Sequence, residues 1–216
     1  MESARRARET DGDTGVVPPV SPGDSVLLLS SPMERTDADY CLAAENAAPP
    51  AESNVLSVTL NESADAVAER WIRCVGRLPG QLAVITVGDT NRGAAATDGG
   101  GGPSGPSGYD MSTAVVSSPG DLTGLGIKLS QCLSAWDDHD DETTVRFDSL
   151  TTLLQFADLK RSFRFIHVLT GRISSAGAVG YFHLDPGAHD EQTLATLRGL
   201  FDVVLERQDD GKWTEP

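Results

Sequence analysis

Lysine is scarce in this chain. Its 216 residues include 14 arginines but only three lysines (Lys128, Lys160 and Lys212), against 21 aspartates and 11 glutamates, which gives a formal charge of −15. A chain of that charge repels phosphates, so nucleic acid is an unfavourable partner on bulk electrostatics. An acidic, aspartate-rich, lysine-poor surface suits a cytoplasm near molar salt, where a Debye length of about 3 Å screens carboxylate repulsion. We therefore predict a halophilic cytoplasmic protein; an ordinary acidic protein is the alternative.

Long apolar runs and paired cysteines are also missing. No apolar segment approaches the roughly 18 residues that a membrane span needs. The charged N-terminus is not followed by an apolar segment, which argues against a secretory signal. The three cysteines, Cys41, Cys74 and Cys132, are far apart and form no C-x-x-C pair, so we expect free thiols and no zinc knuckle.

The chain divides into a domain and low-complexity appendages. Residues 1–22 are polar and contain several prolines, which predicts a disordered tail. Residues 91–111 include the run GGGGPSGPSG, typical of a flexible insertion. Residues 208–216 read as a hairpin or a tail. The domain itself is predicted to span 23–207.

Within that domain, apolar strand-like runs alternate with helical stripes. The strands are mostly continuously apolar or β-branched, as in sheets that are covered on both faces. Helical stripes follow Ser63 and Asp121, which are predicted N-caps, and others run through 159–173 and 194–201. This alternation predicts an α/β three-layer domain with a mostly parallel sheet and helices on both faces. The predicted strands are 25–30, 54–60, 82–87, 143–147, 178–183 and 202–206.

Ligands in such sheets bind beyond the carboxyl ends of the strands. A phosphate-binding loop after the first strand would need glycines and a Gly-Lys-Ser/Thr ending, because backbone N–H groups and the lysine neutralise the phosphates. The segment there has no glycine and no lysine, and it carries Glu34, Asp37 and Asp39. Phosphate binding by this mechanism is therefore not expected.

Asp148 ends an apolar strand and has two interpretations. In P-loop enzymes an aspartate at this position holds Mg²⁺. The alternative is a cap for a helix that starts at Ser149 or Leu150.

The segment from His183 to Asp190 contains the other polar candidates. His183, Asp185, His189 and Asp190 are suitable metal ligands or acid–base groups. Alternatively, Pro186 and Gly187 form a turn and Asp190 lies near the N-cap of the last helix. We refer to Asp148 and these four residues together as the strand-end residues.

Several motifs resemble a known family. The pattern of an apolar strand running into Asp-Ser-Leu-Thr at 148–151 resembles the second nucleotide motif of RecA/KaiC-like ATPases. Together with NVLSVT (54–59), DLTGLG (121–126), FIHVLTGR (165–172) and HLDPGAHD (183–190), it resembles a haloarchaeal family of uncharacterised RecA/KaiC-like proteins that lack the Walker A phosphate loop. The resemblance implies a RecA-like core in an archaeal cytosol. Of the ATPase motif positions only Asp148, the Walker B-like one, is present.

Three functions follow from these observations. The first is a degenerate, non-hydrolytic RecA/KaiC-like domain that acts as a regulatory or signalling protein-binding module, with a protein partner or self-association and no cofactor. The second is a nucleotide- or metal-dependent enzyme using the strand-end residues, with Mg²⁺ and nucleotide bound only in this case. The third is DNA binding, which would need Arg161, Arg164 and Arg172 on one helix face.

Overall fold

The framework of the protein is an eight-stranded sheet. The computed structural model describes residues 19–31, 41–43, 49–88, 111–136 and 141–216. The strands are β1 (Ser25–Leu29), β2 (Ser53–Thr59), β3 (Gln81–Val87), β4 (Ser112–Val116), β5 (Glu142–Asp148), β6 (Val179–Leu184), β7 (Val203–Arg207) and β8 (Trp213–Thr214). Their order across the sheet is β4-β3-β2-β5-β6-β1-β7-β8. Neighbouring strands are parallel except β7 and β8, which are antiparallel.

The helices begin where the sequence supplies a capping side chain. The hydroxyl of Ser63 accepts a hydrogen bond from the Ala66 N–H at 3.3 Å, and Asp121 accepts one from the Gly124 N–H at 2.8 Å, so both predicted N-caps are confirmed. The first helix ends at Gly76, whose left-handed φ of 85° is accessible without strain to glycine. The α-helices are α1 (Ala64–Val75), α2 (Leu122–Ala135), α3 (Leu150–Phe156), α4 (Leu159–Ser175) and α5 (Glu191–Arg198), and short 3₁₀ helices occur at Pro50–Glu52 and Pro186–Ala188.

Helices cover both faces of the sheet. On the first face, α2, α3, α4 and α5 pack on one large core that includes Phe147 and Phe182. On the second face, α1 packs through Trp71 on β2 and β3, and helical residues 41–43 pack on β1, β6 and β7. These three layers confirm the predicted α/β class with a mostly parallel sheet.

Two strands, β4 and β8, were not predicted from the sequence pattern. β4 is short, lies at the edge of the sheet and has mostly exposed residues, so it lacks the apolar run of the buried strands. β8 is two residues long and forms a hairpin with β7, so of the alternatives for the C-terminus the structure has the hairpin. The last helix also ends earlier than predicted, at Arg198.

Most of the predicted low-complexity segments lie outside the described residues, which omit 1–18 and 89–110. Near the end of the predicted tail 1–22, Val20 packs against the core on the second face of the sheet. At the end of the predicted insertion 91–111, Met111 is only 4% exposed and packs with Trp71.

Candidate functional site

The connections between strands run in opposite directions from the adjacent strands β2 and β5. The chain leaves β2 toward β3 on one side, and leaves β5 toward β6 on the other. In open α/β sheets the connections diverge at such a point and leave a crevice at the carboxyl ends of the strands. Asp148 lies at this point, where a ligand site is expected.

Short polar contacts bridge the two sides of this crevice. The Leu60 N–H donates to the Asp148 carbonyl at 2.9 Å, and the Asn61 side-chain amide donates to the Thr152 hydroxyl at 2.9 Å. Glu62 beside them forms an ion pair of 2.5 Å with Arg70 of α1. The polar groups that follow β2 are therefore bonded to neighbours within the fold.

Asp148 is the last residue of β5 and is only 4% exposed. It is paired in register with Thr59 of β2, and its peptide bond to Ser149 is cis. The N-cap of α3 is Ser149, whose hydroxyl accepts from the Thr152 N–H at 3.2 Å. The alternative that Asp148 itself caps the helix is wrong, because that role falls to the next residue.

Arg146 is a buried charge that the sequence reasoning did not select. It is 3% exposed, lies two residues before Asp148 and therefore shares its face of the sheet. Its register partners are Ser57 on β2 and Tyr181 on β6. Arginine between Val145 and Phe147 in a strand predicted to be covered on both faces was the available signal, since a buried charge requires compensating polar partners.

His183 lies on β6 and contacts the end of β1. Its Nε2 is 2.9 Å from the hydroxyl of Ser30, and the two residues are 4% and 2% exposed. His183 shares a face with Tyr181, which packs in the core of the second face. The histidine therefore sits within a packed, hydrogen-bonded environment under the ends of the two strands.

Asp185 and His189 converge on Thr151 of α3. The Asp185 N–H donates to the Thr151 hydroxyl at 2.8 Å, and His189 Nε2 lies 3.1 Å from the same oxygen. The Asp185 carboxylate accepts from the Gly187 N–H at 2.9 Å and caps the 3₁₀ helix. Asp190 caps α5 by accepting from the Thr193 N–H at 2.7 Å. The predicted turn and N-cap are therefore present.

The electrostatics of this segment favour a neutral imidazole. Partial burial lowers the pKa of His189 below its ordinary value, and Asp185 and Asp190 oppose that shift. The pKa of the Asp190 carboxyl is also lowered, mainly because the carboxylate accepts a hydrogen bond from the Thr193 backbone N–H. A neutral His189 can donate or accept one hydrogen bond with Thr151, but it supplies no positive charge to a phosphate.

The structure does not gather the strand-end residues into one cluster. His183 faces the second face of the sheet with Ser30, whereas Asp185 and His189 meet α3, which packs on the first face. Among the residues that the structure describes, no three His, Cys, Asp or Glu side chains form a group able to hold a metal ion. The acidic side chains of Glu34, Asp37 and Asp39 lie outside the described residues.

No helix in the described part of the chain is long and apolar enough to cross a membrane. Among solved structures, the chain is similar to a protein of Pyrococcus horikoshii OT3 that is described as the subject of a structural study. The TM-score is 0.51 at 15% sequence identity, covering 92% of this chain and 95% of that one. This likeness shows a shared fold. A comparison with curated proteins finds no match.

A family model matches residues 23–207. That span runs from just before β1 to the end of β7 and includes all five strand-end residues. The chain therefore belongs to DUF7504, a family of unknown function.

Proposed function

We propose that this domain is a degenerate RecA/KaiC-like domain that does not hydrolyse ATP and acts in a halophilic cytoplasm as a regulatory or signalling protein-binding module. The observation that carries the proposal is the set of residues near the carboxyl ends of the strands, around Asp148. Asp148 occupies a position where an aspartate could hold Mg²⁺, but the segment after β1 lacks the lysine and the glycines that would hold a triphosphate.

A triphosphate needs lysine and a row of backbone N–H donors. The segment that follows β1 has neither a lysine nor a glycine. In the segment after β2, the guanidinium of Arg70 is paired with the Glu62 carboxylate. A cation already held by a carboxylate of the fold contributes less to phosphate binding.

Titration calorimetry with ATP–Mg²⁺ in molar KCl tests the proposal. The expected result is no heat of binding to the wild-type protein. Micromolar binding that is lost in Asp148→Asn, but kept in the exposed control Glu69→Gln, would overturn it. Circular dichroism confirms that both variants are folded.

The enzyme alternative rests on a different observation. A neutral imidazole beside a hydroxyl, as in His189 and Thr151, is an arrangement used in general base catalysis. Titration with Zn²⁺ or Mn²⁺ tests its metal-dependent form. Stoichiometric binding that is lost in His189→Ala but kept in His183→Ala, whose ring lies on the other face of the sheet, would favour an enzyme over the binding module.

A further inference from the structure

Helices α2 and α4 are positively charged in a strongly acidic protein. Together they contain Lys128, Lys160, Arg161, Arg164 and Arg172, and no aspartate or glutamate. The rest of the chain has 17 − 5 = 12 basic residues and all 32 acidic residues. These two helices therefore carry a net positive charge, whereas the remainder of the chain is strongly acidic.

An open groove of about 610 Å³ runs between these two helices. Its apolar lining includes Leu122, Ile127, Phe165 and Val168. Ile127 is 54% exposed and Val168 is 56% exposed, two of the largest exposures of big apolar side chains in the described residues. Such a surface is typical of an interaction site. We call it the α2–α4 groove.

Three arginines of α4 line the groove: Arg161, Arg164 and Arg172. Arg161 donates to the Gly120 carbonyl at 3.2 Å, and Arg172 contacts the hydroxyl of Ser130 across the groove. Both partners are neutral. Within the part of the chain that the structure describes, none of the three guanidinium groups has a carboxylate at ion-pair distance. Within the described residues, the three positive charges are therefore not neutralised by an ion pair.

We propose that the α2–α4 groove binds an acidic amphipathic helix of a partner protein. The apolar lining would bury the apolar stripe of that helix, and the arginines would pair with carboxylates along its flank. Arg161 and Arg172 are separated by 11 helical rises, which is about 16 Å or roughly three helical turns. This inference rests on the proposed protein-binding function and gives it a surface and a partner chemistry.

A nucleic acid fits the groove less well. Phosphate backbones are bound by basic residues supported by polar donors, whereas this groove also presents apolar side chains, two of which, Ile127 and Val168, are strongly exposed. The remaining surface would also repel a polyanion at a formal charge of −15. A short acidic helix contributes carboxylates and apolar side chains together.

The test uses a fluorescent peptide of about 15 residues with leucines at i, i+4, i+7 and i+11 and glutamates on both flanks. Anisotropy is measured with the full chain, in the lowest KCl at which circular dichroism shows a folded protein. We expect saturable binding that a peptide of the same composition in scrambled order does not show. Equal binding of both peptides, or no binding of either, would overturn the proposal.

Matched variants locate the binding. Arg164→Glu and Val168→Glu, both at exposed positions in the groove, are expected to weaken binding about tenfold or more. Lys160→Glu makes the same charge change at an exposed position of α4 that does not line the groove, and is expected to change affinity less than about twofold. Equal effects of Arg164→Glu and Lys160→Glu would overturn the proposal.

Two further outcomes identify other occupants. Binding of a DNA oligonucleotide that depends on Arg164, without peptide binding, would assign the groove to nucleic acid. A dimer in light scattering that Arg164→Glu converts to a monomer would assign it to a second copy of the chain. Either outcome overturns the helix proposal. The proposed function fails separately, through ATP–Mg²⁺ binding that Asp148→Asn abolishes.

Discussion

Replacement of Ser30 by alanine tests how the end of β1 is joined to β6. The hydroxyl of Ser30 lies 2.9 Å from His183 Nε2, and the two residues are 2% and 4% exposed. The substitution leaves this ring nitrogen facing a methyl group where water has little access. Loss of such a buried partner costs about 1–3 kcal/mol. For a chain of this size each kcal/mol lowers Tm by about 2–4 °C, so we expect a decrease of about 2–12 °C.

Urea denaturation and thermal melts in molar KCl measure the effect. Ser134→Ala, at an exposed position of α2, is the matched control and is expected to stay within about 0.5 kcal/mol of wild type. A double-mutant cycle with His183→Phe should give a coupling of about 0.5–3 kcal/mol. A Ser30→Ala melt that matches wild type would refute the reasoning that this contact holds the two strand ends together.

Three other predictions concern the core, salt and pH. Phe182→Ala should cost about 3–5 kcal/mol in urea denaturation, because this fully buried ring packs against Phe147 and Phe201 at centroid distances of 5.8 and 5.1 Å. Lowering KCl from molar to about 0.1 M lengthens the Debye length to about 10 Å and should lower Tm in circular dichroism; a Tm indifferent to KCl would contradict the halophile prediction. The lowered pKa of His189 means that the unfolded chain takes up its proton more readily, so stability should fall as pH drops below the ordinary value of 6.5. Denaturation at pH 7.5 and 5 should show a smaller loss in His189→Asn, and an equal loss would contradict this assignment.

The class of fold could be predicted because its signals are local. Apolar runs mark the buried strands β1 and β3, and capping residues such as Ser63 mark where helices begin. β4 could not be predicted in the same way, since its pairing with β3 at the sheet edge depends on tertiary contacts.

Only part of the candidate site could be predicted from the sequence. The spacing of 183–190 correctly indicated a turn followed by an N-cap at Asp190. The sequence did not show that His183 and His189 lie apart. The face on which His183 lies depends on its position along β6, and the contact of His189 with Thr151 depends on how α3 packs. The contacts of Ser30 and Thr151 join segments 153 and 34 residues apart, which sequence spacing does not encode.

The groove was also only partly predictable. The spacing of Arg161, Arg164 and Arg172 predicted one helix face, and all three line the α2–α4 groove. The apolar side chains contributed by α2 depend on how the two helices pack.

Amide hydrogen exchange in molar KCl, read out by mass spectrometry, tests most directly whether this fold acts by binding protein and not nucleotide. One sample contains ATP–Mg²⁺ and the other contains the acidic amphipathic peptide. The account predicts unchanged exchange with ATP–Mg²⁺ at 60–63, 148–153 and 183–190, and slower exchange with the peptide in α2 and α4. Slower exchange at these strand ends with ATP–Mg²⁺, with α2 and α4 unaffected by the peptide, would contradict it.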